Sequence, residues 1–222
     1  MTDPRLIARK LAREALSAGK PLDWFDLLYS RAETENVIIP WADKKPNPNL
    51  VELFDSVGHL PFGKCAIKVG CGLGDDAEWL AKQGFDVTAF DISSSAIQEC
   101  RRRFPDSCVH YIEGDLFKAP RHWMSAFDLV QESYTLQVLP PELREAAMIK
   151  ISEFIAPGGY LLFITRIRDE SDPEGSMPWP LTRSEVDGFI SLGLTNIYFK
   201  DYMDSEDPPV RRFQACYQRE KA

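Results

Sequence analysis

The 222-residue sequence predicts an α/β fold: a doubly wound, mostly parallel sheet with helices on both faces, mixed at its last edge. Three observations predict it. From Cys65 onward, short β-branched and aromatic runs alternate with helix-length segments, the signature of parallel strands joined by helical crossovers. A glycine cluster, Gly70, Gly72 and Gly74, falls where the first strand gives way to the first crossover helix. The last two strands are separated only by "DSEDPP", so they pair antiparallel.

The elements follow in order. Residues 1–60 form a helical extension and 61–222 the main domain. In the extension, Leu6, Ile7, Leu11, Ala15 and Leu16 recur at helical spacing, and "LDWFDLLYSRA" supplies a second helix. The proline-rich joint "IIPWADKKPNPNL" leads to a third, "NLVELFDSV", and to a turn at Phe62-Gly63-Lys64. "CAIKV" opens the sheet, Asp75 to Gln83 is a helix, and "FDVTAFD" the second strand. Ser93 to Arg103 is a helix with serines at its start, followed by strands "CVHYIEGD" and "FDLVQES". A helix from Pro140 to Ile155 begins with prolines, which first turns accept, and Pro157-Gly158-Gly159 ends it. "YLLFITRI", a helix from Thr182 to Ser191, "LTNIYFKDYM" and "VRRFQACYQR" complete the chain.

Composition narrows the function. A hydrophobic content of 44% with 27% charged residues is that of a globular protein with a sizeable core. A net charge of -8 argues against nucleic acid or an anionic membrane as partner. Arg101, Arg102 and Arg103 read as a solvated helix end that complements the dipole there. The five cysteines include no C-x-x-C pair and read as buried free thiols of a reducing compartment. The N-terminus lacks a signal peptide's apolar core, so a cytoplasmic location is expected. No metal site is expected.

The glycine loop "GCGLGDD" decides the ligand class. Ligands of open parallel sheets sit beyond the carboxyl ends of the strands. A dinucleotide fingerprint would need its third glycine at position 75, which is aspartate, and no Gly-Lys-Ser or Gly-Lys-Thr follows. Asp75 and Asp76 already fill the favourable negative positions of the first helical turn, so a pyrophosphate there meets like charge. S-adenosylmethionine, with a sulfonium, an ammonium and no phosphate, fits. Gly70, Cys71, Gly72 and Gly74 would let the backbone approach it closely. Asp91, with Ile92 beside it, ends the second strand 17 positions after Gly74, where a carboxylate can accept from both ribose hydroxyls. Asp115 in "EGDLF" is placed for the adenine amino group, and Leu116 offers a backbone N–H.

In order, "VGCGLG", "AFDIS", "EGDLF", "FDLVQES" and "IAPGGYLLFITR" resemble class I S-adenosylmethionine-dependent methyltransferases over residues 65–166. Within that superfamily the chain is most similar to the thiopurine, thiol and halide methyltransferase branch. The shared features are the G-C-G-x-G-x-D loop, with Asp76 matching, and the joint "PWADKKPNPNL". The resemblance implies a seven-stranded sheet with an antiparallel last strand. It also implies an N-terminal lid whose aromatics, Trp24 and Trp41, face the cofactor, where a ring face attracts a sulfonium. "MPWPL" resembles the branch's P-P-Y-like element before the last helix, and its Trp179 is expected to contact the substrate. One departure stands out. Many superfamily members carry an acid two residues before the first glycine, and this chain has Lys68, expected to pair with Asp75, Asp76 or the cofactor's carboxylate.

Methyl transfer is an in-line displacement in which orientation alone removes roughly 7–11 kcal/mol of barrier. A thiol of depressed pKa needs little help, whereas a hydroxyl or amine profits from a base. The end of the fourth strand offers Glu132 as cofactor ligand and base, and Tyr134 as proton handler and substrate contact; Arg166 could hold an acidic substrate. The acceptor expected from the branch likeness is a small molecule with a soft nucleophile, handled by a monomer or small homo-oligomer. A catalytically silent cofactor-binding module and an O- or N-methyltransferase remain as alternatives, and the electrostatics leave little room for a nicotinamide-dependent oxidoreductase.

Overall fold

The alternating pattern from Cys65 onward builds one seven-stranded sheet in the computed structural model, which describes residues 4–35, 37–58, 60 and 64–221. The strands are β1 (Cys65–Val69), β2 (Asp86–Asp91), β3 (His110–Glu113), β4 (Phe127–Ser133), β5 (Ile155–Arg166), β6 (Leu194–Met203) and β7 (Arg211–Arg219). Their order is β3-β2-β1-β4-β5-β7-β6, and β7 alone runs antiparallel to its neighbours, inserted between β5 and β6. The order reverses beside β1, so the carboxyl ends of β1 and β4 flank the natural crevice.

Helices α3 (Pro48–Val57), α4 (Asp75–Lys82) and α5 (Ser94–Arg103) cover one face, burying Leu53, Leu80 and Ile97 against Ala66, Leu129 and Ile164. Helices α6 (Pro141–Phe154) and α7 (Arg183–Ser191) cover the other, with Ile151, Phe154 and Phe189 against Ile67, Val130 and Phe163. Alternate residues of each strand thus feed opposite cores, as the strand period of two requires. Helices α1 (Pro4–Ser17) and α2 (Asp23–Glu35) form a separate cluster around Trp24 and Leu28.

Capping chemistry sets several boundaries. Asn47 caps α3 through Asn49 N–H with Pro48 next, and Gly58 closes it in the left-handed region at φ 66°. Thr182 and Glu185 form a reciprocal capping box on α7.

Three expectations need correction. Pro157-Gly158-Gly159 does not end α6; the helix stops at Phe154 and these residues lie within β5. The pairing jumps from Phe127–Ile155 to Leu129–Tyr160, and that irregularity accommodates a proline without an N–H. The third strand is shorter than "CVHYIEGD", because Asp115 leaves the sheet to cap a 3-10 turn over Leu116–Lys118. All five cysteines are free, but only Cys71, Cys100 and Cys216 are buried; Cys65 and Cys108 are exposed at the mouths of β1 and β3. Phe62 and Gly63 of the expected turn lie outside the described residues. No helix among the described residues is long and apolar enough to cross a membrane.

Candidate active site

A cleft of ≈870 Å³ opens at the carboxyl ends of the central strands, between the α1–α2 extension, the glycine loop and the β6–β7 hairpin. Gly70, Gly72 and Gly74 adopt φ of 57°, 53° and 87°, which L side chains rarely accept. A Cβ on Gly70 would stand 2.5 Å from Thr135 Oγ1, and one on Gly72 3.0 Å from Tyr29 Oη. The bare backbone therefore forms a cradle. Gly70, Cys71, Gly72, Asp76, Asp91, Ile92, Asp115, Leu116, Trp41, Tyr134 and Arg166 all line the cleft, together with Lys68.

At this end the carboxylates are held by backbone donors. Asp91 Oδ2 accepts from Gly72 N–H (2.8 Å) and Oδ1 from Ser93 N–H (3.0 Å), fixing the loop to the end of β2. Burial raises the Asp91 pKa against the lowering effect of those N–H groups. Asp115 accepts from Phe117 N–H at 2.9 Å. Asp26 of α2 accepts from Ser95 N–H (3.0 Å) and the Ser93 hydroxyl (2.7 Å), so the extension helps cap α5.

The negative doorway expected at Asp75 and Asp76 is compensated in place. Arg103 binds both oxygens of Asp75 (2.7 and 2.8 Å) and also donates to Leu73 O, so it is no solvated helix end. Lys68 takes the other aspartate: its ammonium lies 4.0 Å from Asp76 Oδ2, and Asp76 Oδ1 accepts from Asn47 N–H at 2.8 Å. Arg101, though exposed, donates to Tyr111 O, and the exposed Arg102 pairs with Glu99.

Four expected residues stand away from the cleft. Glu132 is fully buried beneath Thr135, its Oε1 accepting from Thr135 N–H (2.5 Å) and Leu136 N–H (3.2 Å). Its Oε2 has no partner among the described residues. Burial pushes its pKa up to about 7, against the lowering effects of Lys68 and the two N–H groups. It organises the strand end rather than reaching a ligand. Trp24 is 1% exposed, stacked on Phe25 and edge-on to Trp41, as a core anchor of the extension. Gly74 turns beneath the loop, against Tyr111 and Cys100. Trp179 serves through its backbone, bonded to Gln137 O and Arg144.

The hairpin end is built differently. Tyr134, at φ 68°, follows β4 in a conformation uncommon outside glycine; such strain gathers at functional sites. Its hydroxyl accepts from Asn49 Nδ2 (2.9 Å) and its ring lies 4.7 Å from the Arg212 guanidinium. Burial raises its pKa, partly offset by Arg212. Glu206 accepts from Arg212, meets Arg5 at 3.2 Å and lies 3.7 Å from Arg166; Asp204 also binds Arg212.

Sequence reasoning missed Tyr29, Asn47, Asn49 and Arg212. Tyr29 shares a helix face with Phe25, and its Oη accepts from Trp41 Nε1 (2.9 Å) over Gly72. Arg212 and Gln214 are polar residues within the fully buried central run of β7, Arg212 to Tyr217, a recognisable anomaly. Among the described residues no group of three or more His, Cys, Asp or Glu is placed to hold a metal ion.

Residues 31–221 match the family model for thiopurine S-methyltransferase. The chain belongs to that family. It is an S-adenosylmethionine-dependent methyltransferase, as the glycine loop and ordered motifs imply. It is 28% identical to thiocyanate methyltransferase 1 of Brassica oleracea over 180 residues, 78% of this chain and 74% of that protein. It is 21% identical to thiopurine S-methyltransferase of Vibrio atlanticus over 182 residues, 75% of this chain and 82% of that protein. Among solved structures it resembles the Burkholderia thailandensis 1,6-didemethyltoxoflavin-N1-methyltransferase bound to 1,6-didemethyltoxoflavin and S-adenosylhomocysteine. That match has a TM-score of 0.68 at 15% identity, covering 100% of this chain and 92% of that one. At that identity the likeness shows the fold. The glycine cradle, bare of side chains, and the buried Asp91 fit a nucleoside cofactor of this thiopurine S-methyltransferase family member.

Proposed function

We propose that the protein methylates a small-molecule thiol or a related soft, anionic nucleophile. The observation that supports this reading most is the lack of a poised base. No histidine is among the described residues lining the cleft, Glu132 is sequestered, and the Tyr134 hydroxyl is engaged by Asn49. Three of the carboxylates lining the cleft are paired with cations: Glu206 with Arg5, Arg166 and Arg212, Asp204 with Arg212, and Glu52 with Lys200. A hydroxyl or neutral amine would need a proton removed, whereas a thiolate arrives without one. Guanidinium groups of Arg166 and Arg212 favour such an anion. The named activities of the thiocyanate and thiopurine relatives agree.

In this reading the cofactor supplies the methyl group on a sulfonium. Gly70, Cys71 and Gly72 cradle it, Asp91 with Ile92 takes the ribose, and Asp115 with Leu116 takes the adenine. Residues 1–60 act as a lid over domain 61–222, with Trp41 and Tyr29 facing the loop and Tyr134 and Arg166 facing the acceptor. Free thiols and the net charge of -8 support a cytoplasmic enzyme, monomeric or a small homo-oligomer, acting on a metabolite rather than nucleic acid. The test is incubation with S-adenosylmethionine and a panel of thiols, alcohols and amines, with products weighed by mass spectrometry. Products confined to the thiols and soft anions support the proposal; methylated alcohols or amines alone overturn it.

A further inference from the structure

The lysine at the end of β1 has no role in the glycine-loop motif, and its surroundings give it one. Lys68 is 3% exposed yet lines the cleft. Its ammonium has Val69 O at 3.0 Å and Asp76 Oδ2 at 4.0 Å, fewer close acceptors than its three protons can use. Its charge is also felt by Asp91 and Glu132, but neither stands as a close acceptor, so the ammonium keeps donor capacity that a ligand in the cleft can take up. Asn47 stands on the far side of Asp76, joined to it through its own N–H. The Asn47 amide has a fixed orientation, because Oδ1 accepts from Asn49 N–H (3.0 Å) and Asn49 Nδ2 (3.1 Å) to cap α3. That orientation leaves Nδ2 buried with no acceptor among the described residues, although Asn47 also lines the cleft.

The arrangement is thus donor, acceptor, donor: Lys68, Asp76, Asn47. We propose that it reads the zwitterionic amino-acid end of the cofactor, with Asp76 taking the ammonium and Lys68 together with Asn47 Nδ2 taking the carboxylate. The inference rests on S-adenosylmethionine as cofactor and is independent of which nucleophile accepts the methyl group. Lys68 then supplies part of the affinity rather than repelling the cofactor's cations, and a free carboxylate becomes a condition for tight binding.

Decarboxylated S-adenosylmethionine, which keeps the sulfonium and ammonium, isolates the effect. Calorimetry without acceptor compares its affinity with that of S-adenosylmethionine for the wild type, Lys68→Met and Asn47→Asp. The aspartate keeps the Oδ1 acceptor of the α3 cap and exchanges the Nδ2 donor for a charged oxygen that repels a carboxylate, so it carries the test should Lys68→Met fail to fold. For the wild type, the decarboxylated compound should bind roughly ten- to a hundredfold more weakly, the scale of a hydrogen-bonded charge. Each variant should lose a similar factor for S-adenosylmethionine and less than about threefold for the decarboxylated compound. Equal losses for both compounds, or tighter binding of S-adenosylmethionine by Lys68→Met, overturn the proposal. So does a wild type that does not distinguish the two compounds while Lys68→Met raises only the KM of a carboxylate-bearing acceptor. Failure of the wild type to bind either compound would instead strike the cofactor reading itself.

Discussion

The two ends of the cleft hold their charges by different means. At the loop end, Asp91, Asp76, Asp115 and the sequestered Glu132 each accept from backbone N–H groups of segments that fold nearby. At the hairpin end, Arg212, Arg166 and Arg5 meet Glu206 side chain to side chain, and Asp204 meets Arg212 through one oxygen while the other accepts from Glu206 and Val210 N–H. Backbone donors do not rearrange independently of the fold, so the loop end is rigid before any ligand arrives. Ion pairs between long side chains can exchange partners, so the hairpin end can adapt to an anionic acceptor. Preorganisation suits an invariant cofactor and adaptability suits a variable substrate.

The largest expected effect breaks the hairpin end. Arg212 is 2% exposed, so Arg212→Met removes the buried partner of Asp204, leaves Glu206 to Arg5 and Arg166, and should destabilise the fold by about 3 kcal/mol in urea unfolding. A cost under about 1 kcal/mol would mean that the pairs dissolve in solution and that the two ends are alike. Glu132→Gln probes the loop end with the opposite sign. Its folded pKa of about 7 lies above its ordinary value of 4.5, so the folded state binds the proton more tightly. Stability is then lost as pH rises from 4.5 through 7 and is level above it, a penalty of about 3 kcal/mol at pH 8. Glutamine keeps the acceptor for Thr135 and Leu136 without the charge, so the variant should be the more stable protein at pH 8 and equal to the wild type near pH 4. A wild-type unfolding curve with no slope between pH 4.5 and 7 refutes this.

The same contrast explains what could be read from the sequence. The seven strands, the loop, Asp91 and Asp115 are local: each depends on residues within one strand-turn-helix unit, where spacing carries the geometry. Arg103 meeting Asp75 and Asn47 meeting Asp76 span 28 and 29 residues and depend on how α5 and the proline joint pack. No periodicity encodes such pairs, which is why Lys68, a few residues from the doorway, is expected to pair there while Arg103 and Asn47 are not. Glu132 failed for a subtler reason. Its position at the strand end was right, but the following turn folds its N–H groups over the carboxylate and closes it off. Trp24 and Trp41 could not be separated by pattern because both sit in the extension; packing alone puts one in its core and the other on the cleft.

A smaller effect tests the rigidity of the loop. Gly70→Ala adds left-handed strain of about 1–2 kcal/mol, and its Cβ would stand 2.5 Å from Thr135 Oγ1. Pairing it with Thr135→Ala should recover the contact component and leave the strain. Full recovery in the double variant, measured by thermal unfolding and cofactor affinity, would show that the loop is pliable and the contrast overstated.

The smallest effects compare how the extension is fastened at each end. Asp26 binds Ser95 N–H and the Ser93 hydroxyl at the start of α5, whereas Arg5 reaches Glu206 in the hairpin with its side chain 34% exposed. Burial alone would raise the Asp26 pKa, but the Ser95 N–H and the serine hydroxyls outweigh it and hold the carboxyl below its ordinary value. Its contribution is therefore present above the ordinary pKa and lost as pH falls through the folded one. Asp26→Ala should cost about 1 kcal/mol at pH 7 and little once the carboxyl is protonated in acid. It should also weaken cofactor binding modestly, because the Ser93 it holds donates to Asp91. Arg5→Ala should cost about 0.5 kcal/mol and nothing in 1 M salt, where exposed pairs are screened. The order of the two costs is less informative than their salt dependence. A backbone-anchored charge should keep its value in salt and a side-chain pair should not, so equal salt sensitivity at Asp26 and Arg5 would erase the distinction between the two ends.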